Sequence, residues 1–382
     1  MQERKIDRAL RIRVRLGVIE FQVVDLLFIL CLFVFGFLIR WKLMPIESAD
    51  FWGFLEDWMN QIRESGGYRS LDHQISNYTS PYMYIMCLLS YLTENDLYGL
   101  KMVSILFDYA AAVAVFLIIH QMTGQVRKAI LGMGMLLLSP TVIIDSAYWC
   151  QCDIIYTTFI LYALYCFFKN NSKSCLIFLG VAFAFKLQTL FIVPFFLIMW
   201  LKGKTIKLRH FLWIPVVYVI SILPAWMVGR DFKELLLIYF DQSGTYPWGT
   251  LEYPNIYALL GESMPDMRHA SEVSGAGMFM TIILIGALAY YLYTRDVNLT
   301  GQMMITIALF TVALIVYCLP HMHDRYGFLI DLLAVIYGML DTKKLPVTCG
   351  FFCGFDHNLY AISDRSARSE ERRVGKECRS RW

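Results

Sequence analysis

An all-α, polytopic transmembrane helical bundle of about 9 to 11 membrane helices, with amphipathic helices in its outer loops, is the fold class this sequence predicts. Three observations lead there. Of 382 residues, 58% are hydrophobic, 15% aromatic and only 17% charged, and mean hydropathy is +0.52, whereas a soluble domain carries about 25% charged residues. Long apolar runs follow one another with short polar connections, the pattern of helices in lipid. Basic residues collect between alternate runs, as the positive-inside rule requires. The net charge of +3 excludes no function class, and the ten cysteines are scattered, mostly inside apolar runs, without the spacing of a disulfide framework.

The elements take their direction from charge and length. Arg4, Lys5, Arg8, Arg11, Arg13 and Arg15 precede an apolar run from Phe21 to Ile39, long enough to cross a ~30 Å core and too long for a signal peptide. The N-terminus is therefore expected in the cytoplasm, with Arg40 and Lys42 an exception on the outer side. Further basic clusters stand at Arg127 and Lys128, Lys169 and Lys173, Lys202 to Arg209, and Lys343 and Lys344. Between them, 129–145, 211–228 and 302–319 are expected to run outward, and 154–168, 276–293 and 327–340 inward. Segment 100–121 crosses inward; 81–93 is too short to span and reads as interfacial or re-entrant. The run 175–201 is too short for two crossings at ~1.5 Å per residue and reads as a re-entrant pair with its apex near Lys186.

Residues 1–345 thus read as a single transmembrane domain. The last fifteen residues, RSEERRVGKECRSRW (368–382), resemble the in-frame translation of a sequencing adapter, which would make the natural protein longer. Residues 346–367 carry no functional assignment.

In this topology the unusual polar residues fall on one side. The first outer segment holds Asp50, the amphipathic FWGFLEDWMNQI with Asp57, and SNYTSPYMY with Asn77 and Tyr78; DSAYWCQCD carries Trp149, Gln151 and Asp153; FKLQ carries Lys186 and Gln188; PHMHDRY carries His321, His323 and Arg325. Each has a plainer explanation: Asp50 as a solvated charge at a helix end, Trp149 as part of an interfacial aromatic belt. Cys150 and Cys152 lack partners for a metal, and the two histidines suit phosphate or backbone hydrogen bonding better than a metal. Lys186, flanked by VAFAF and LFIVP, is costly in hydrocarbon and points to a polar cavity or an anionic ligand.

The set suits a sugar leaving a lipid phosphate. Lys186, Arg325, His321 and His323 are the candidate phosphate ligands, and a juxtamembrane aspartate is a candidate base for the acceptor hydroxyl. Asn77, Tyr78, Trp149, Gln151, Asp153 and Gln188 are candidate substrate contacts. One carboxylate and one displacement invert the anomeric centre. No glycine-rich nucleotide loop is present, so a nucleotide-sugar donor is not expected; nor are nucleic acid, metal or cofactor called for.

On these motifs the chain resembles the type C (GT-C) glycosyltransferases over residues 20–345. More specifically, it is similar to prokaryotic mannosyltransferases related to the second mannosyltransferase of glycosylphosphatidylinositol synthesis. The resemblance implies a polyprenyl-phosphate sugar donor, a lipid or envelope acceptor, an extracytoplasmic active site in a prokaryotic plasma membrane, inversion, and a catalytic aspartate at Asp50. Two residues depart from the pattern: Cys150 stands where glycine is expected, and Ser80 where a second proline is expected. The competing expectations are a polyprenyl-linked lipid transporter, to which Asp108 and Asp331 within apolar runs would belong, and a non-catalytic envelope subunit.

Overall fold

The computed structural model describes residues 2–203, 206–243, 250–251, 253–260 and 270–346. The tail at 347–382, with its adapter-like end, lies outside the described residues, as does most of the outer segment at 244–269.

The N-terminal arm forms α1 (Gln2–Leu10) and an antiparallel hairpin of β1 (Arg13–Leu16) and β2 (Ile19–Gln22). Gly17, at φ +62°, supplies the first position of its two-residue turn. There follow α2 (Val23–Leu43), a π-helical turn at Phe51–Leu55, α3 (Glu56–Glu64), α4 (Ser80–Leu92), α5 (Asp96–Thr123), α6 (Val126–Leu137), α7 (Pro140–Ile143), α8 (Asp153–Phe168), α9 (Ser172–Phe185) and α10 (Val193–Leu201). Next come α11 (Trp213–Val228), α12 (Phe232–Ser243), β3 (Thr250–Leu251), α13 (Ala270–Thr294), α14 (Gly301–Cys318), β4 (Met322–His323), which pairs with β3 in parallel, and α15 (Phe328–Leu340).

This is an all-α, multi-pass membrane architecture, but with fewer spans than expected. Among the described residues five segments are long and apolar enough to cross a bilayer: Val23–Leu43, Asp96–Thr123, Leu208–Val228, Val273–Thr294 and Gly301–Cys318. A sixth is reached if Val126–Leu137 and Pro140–Tyr148, which meet at a 51° bend, count as one. The break has a local cause. Ser139 precedes Pro140, which pushes it out of the helical region to ψ 129°. The expectation of about 9 to 11 membrane helices included shorter apolar ones, the re-entrant pair among them. Asp153–Phe168, Ser172–Phe185 and Leu187–Leu201 fall short of a ~30 Å core at ~1.5 Å per residue. Of the 16 residues of α8, 11 are buried by protein, and a helix enclosed on most sides is apolar nearly all round for that reason.

Burial separates core from rim. Half or more of the spanning windows of α5 and α14 is enclosed (56% and 50%), against 11% for α2 and α13. The helices share two ends. At one, Arg127 reaches Gln22 and Asp25, Lys128 reaches the Leu340 carbonyl, Gln302 meets Asp341, Lys202 donates to the Arg295 carbonyl and Ser172 accepts from the Lys207 amide. The basic clusters that the sequence grouped by charge therefore share one end. The last two contacts also put both feet of the α9–α10 pair there, so the chain turns back at Lys186, where the backbone is extended (φ −156°).

Arg40, the exception in charge, is fully enclosed by protein and pairs with Asp108 of α5 at 2.7 Å. Lys101 on α5 donates to the carbonyls of Leu43 (3.3 Å), Met44 (3.2 Å) and Ile46, capping the negative end of α2.

Candidate functional site

The site lies at the end opposite the basic clusters, where four chain segments remote in sequence converge. Ser48 organises the first: its Oγ accepts from the Phe51 amide (3.2 Å) and donates to the Trp149 carbonyl (2.6 Å), tying the start of the π-helical turn to the second segment. Asp50 stands at the head of that turn with 43% of its side chain exposed. Its Oδ2 accepts from Arg325 Nη1 at 3.1 Å and from Gln151 Nε2. Oδ1 takes no hydrogen bond from the described residues.

The second segment, Trp149–Asp153, is held from below. Ser104 of α5 donates to the Gln151 carbonyl at 2.7 Å, and the Gln151 amide donates to the Asp145 carbonyl at 2.8 Å. Gln151 Oε1 accepts from the Tyr78 hydroxyl at 3.3 Å, so one buried amide joins the SNYTSPYMY segment to Asp50. Tyr78 is itself packed between Trp58 and Tyr82, at ring separations of 5.6 and 4.8 Å.

Asp153 opens α8 and has no exposed surface. Lys186, at the apex between α9 and α10, donates to its Oδ1, while Arg325 Nε approaches Oδ2 at 3.8 Å. The four charges therefore alternate in sign from Asp50 through Arg325 and Asp153 to Lys186. Thr79 donates to the Phe185 carbonyl at 2.9 Å, locking the α4 entry to the same apex.

Backbone geometry at the two corners is unusual. Cys150 (φ +61°) and His321 (φ +63°) adopt the left-handed conformation that favours glycine. The glycine expected at 150 thus has a physical reason, and cysteine adopts that conformation nonetheless. Ser80 occupies the first turn of α4 beside Pro81, where either residue fits because the amide has no intrahelical partner.

His321 Nε2 lies 2.5 Å from Ser274 Oγ on α13. His323 packs against Tyr326 (5.1 Å between ring centres); burial, then the charges of Arg325 and Lys186, push its pKa down to about 4. At neutral pH it is an uncharged imidazole, able to donate or accept a hydrogen bond but adding no charge. Burial also pushes the Cys150 and Cys152 thiols up to about 12 and Tyr78 well above its ordinary value. These groups are neutral, and among the described residues no group of three or more His, Cys, Asp or Glu could hold a metal ion.

Of the residues singled out from sequence, Asp50, Tyr78, Gln151, Asp153, Lys186 and Arg325 are joined in one network. Gln188 and Trp149 are buried, Asn77 is exposed on the loop leading into α4, and the two histidines precede Arg325 in the same corner. Asp145 was not singled out. It lies 1% exposed with neither carboxylate oxygen hydrogen-bonded among the described residues, close enough to Asp153, Lys186 and Arg325 to feel their charges. Its position inside DSAYWCQCD was the available signal.

Fold and site together define a multi-pass helical membrane protein with a compact charged cluster at one end of its bundle. No family model, curated protein or solved structure matches the chain.

Proposed function

We propose that the chain is an inverting glycosyltransferase of GT-C type. It moves a hexose, mannose being the candidate, from a polyprenyl-phosphate carrier to an extracytoplasmic lipid, glycan or protein acceptor at a prokaryotic plasma membrane. One observation supports this above others: a half-exposed carboxylate, Asp50, has one oxygen held by Arg325 and Gln151 and the other free of hydrogen bonds among the described residues, with Lys186 joined to the same cluster through Asp153.

In that arrangement Asp50 Oδ1 takes the proton of the acceptor hydroxyl. The hydroxyl oxygen bonds to the anomeric carbon as the bond to the carrier phosphate breaks, and the phosphate leaves with the electron pair. Arg325 and Lys186 offset the charge that develops on it. Arg325 gives Nη1 to Asp50 and turns Nε toward Asp153, and Lys186 has three donors with Asp153 as its acceptor, so each cation has more N–H groups than these contacts use. Asp153, fully buried, holds the cations in place.

The transporter reading draws on Asp108 and Asp331. Asp108 is paired with Arg40 and accepts from Ser146 at 2.6 Å, and Asp331 accepts from Thr141 at 2.8 Å. Carboxylates engaged in this way fit helix-to-helix clamps better than an ion path, which favours the enzyme.

The assay is transfer from polyprenyl-phosphate sugars in membranes, with a nucleotide sugar as control. Asp50→Asn is expected to lower the rate by about 10²–10⁴ with folding intact. Lys186→Ala is expected to impair use of the anionic donor. Full activity in Asp50→Asn would move the base to another carboxylate, and activity with the nucleotide sugar alone would overturn the donor assignment.

A further inference from the structure

Arg230 follows the end of α11, past Gly229 at φ +120°, and is 4% exposed. Its Nε and Nη2 make no hydrogen bond among the described residues. These two nitrogens form the edge of a guanidinium whose N–H bonds point the same way, the edge that grips two oxygens of a phosphate or carboxylate at once. A buried guanidinium without a hydrogen-bonded anion is strongly disfavoured. Among the described residues the titratable groups beside it are Glu234 and Tyr84. Glu234 is exposed in the first turn of α12, and the Tyr84 hydroxyl is engaged by the Ser221 carbonyl (2.8 Å) and the Ala225 amide (3.1 Å).

The surroundings indicate which anion. Trp226, Met227 and Val228 at the end of α11, and Phe232 and Leu236 on α12, are exposed, and the Trp226 and Phe232 rings meet edge-on at 5.8 Å. Aromatic and aliphatic side chains around the end of a span mark the level of lipid headgroups. Tyr84 ties this point to α4, so it belongs to the same end of the bundle as Asp50. A phosphate carried on acyl or isoprenoid chains would set its oxygens on the guanidinium and its chains against these residues.

We infer that Arg230 is an anion-binding site for the phosphate of a membrane amphiphile, outside the network of Asp50, Arg325, Asp153 and Lys186. The inference rests on the membrane architecture and is independent of the reaction proposed above.

The test uses the full chain, delipidated in an uncharged detergent, with dodecyl phosphate as probe and inorganic phosphate, phosphatidylglycerol and a polyprenyl phosphate in parallel. Dodecyl phosphate is expected to bind and raise the Tm. Arg230→Gln should weaken that binding about ten-fold or more, with Arg230→Lys intermediate because lysine lacks the paired edge. Glu234→Gln, which removes the neighbouring negative charge, should tighten it roughly two-fold. Binding of phosphatidylglycerol as well as polyprenyl phosphate would make the occupant a bulk lipid, and polyprenyl phosphate alone would make it the carrier. Both support the site. Unchanged affinity in Arg230→Gln with loss in Lys186→Gln would place the phosphate in the Asp50 network and overturn it, as would binding of inorganic phosphate alone. If Arg230→Gln cannot be recovered folded, unchanged affinity in both Arg230→Lys and Glu234→Gln overturns it equally.

Discussion

His323 is where the site's electrostatics reach a measurable pH range. Its pKa falls from an ordinary value of 6.5 to about 4 in the folded chain, so between those values the unfolded chain binds a proton that the folded chain does not. Stability then rises with pH across that interval. The contribution of a neutral His323 is complete above about 6.5 and is lost as pH falls through about 4. Melting curves of the purified chain should show Tm dropping over that window, and His323→Gln should flatten that part of the profile. An unaltered profile in the variant would mean that His323 is not held neutral by its neighbours. The same residue-level view explains the strained corners. Cys150 and His321 each hold a conformation that costs of order 1–3 kcal/mol, and they lie in the two loops that bring Gln151 and Asp153 to Arg325. The loop carrying Cys150 is fixed from three directions, by Ser48, Ser104 and the Asp145 carbonyl. That over-determination is what lets a non-glycine residue persist there.

Between elements, buried polar pairs fix how the helices meet. Arg40 of α2 and Asp108 of α5 are both fully enclosed, with Ser146 donating to the same Asp108 oxygen and Arg40 Nη1 donating to the Gly36 carbonyl at 3.0 Å. Removing one partner leaves a buried charge, so Arg40→Leu and Asp108→Leu should each destabilise by about 3–5 kcal/mol, and the double variant by much less than their sum. Denaturation of the four proteins in detergent measures this, and strict additivity would show that the pair is not coupled. This pair also marks a limit of sequence reading. Charge counting could only register Arg40 as an exception, because its partner lies 68 residues away and no local pattern announces it. The break at Lys186, in contrast, was legible, since a lysine in an apolar run too short for two crossings demands a turn at the lysine. The hairpin at Arg13–Gln22 was masked by its arginines, read as topogenic charge rather than as a strand. The shorter helices were over-counted because hydropathy does not distinguish a face turned to lipid from one turned to protein.

For the whole molecule, convergence of the site follows from topology. Helices that run alternately between the two ends send every second turn to the same end, so charge and length alone were enough to group Asp50, Gln151, Lys186 and Arg325, although 275 residues separate the first from the last. What they could not supply was depth within the site: Gln151 and Asp153 are enclosed while Asp50 is half exposed, a distinction set by packing on Ser104 and Tyr78. The arrangement has a global consequence. The hairpin ends at Gln22 and α2 begins at the next residue, running 21 residues to Leu43 before the chain enters the site. At ~1.5 Å per residue that helix matches a ~30 Å core, so the hairpin and the site are expected on opposite faces of the membrane. Val18, at the hairpin tip, is 84% exposed, and Asn77 is exposed beside the site. In a background stripped of native cysteines, Val18→Cys and Asn77→Cys should be labelled by an impermeant thiol reagent from opposite sides of sealed membranes, with Asn77→Cys reacting from outside in intact cells. Labelling of both from one side would require α2 not to cross, and the extracytoplasmic placement of the reaction would fall with it.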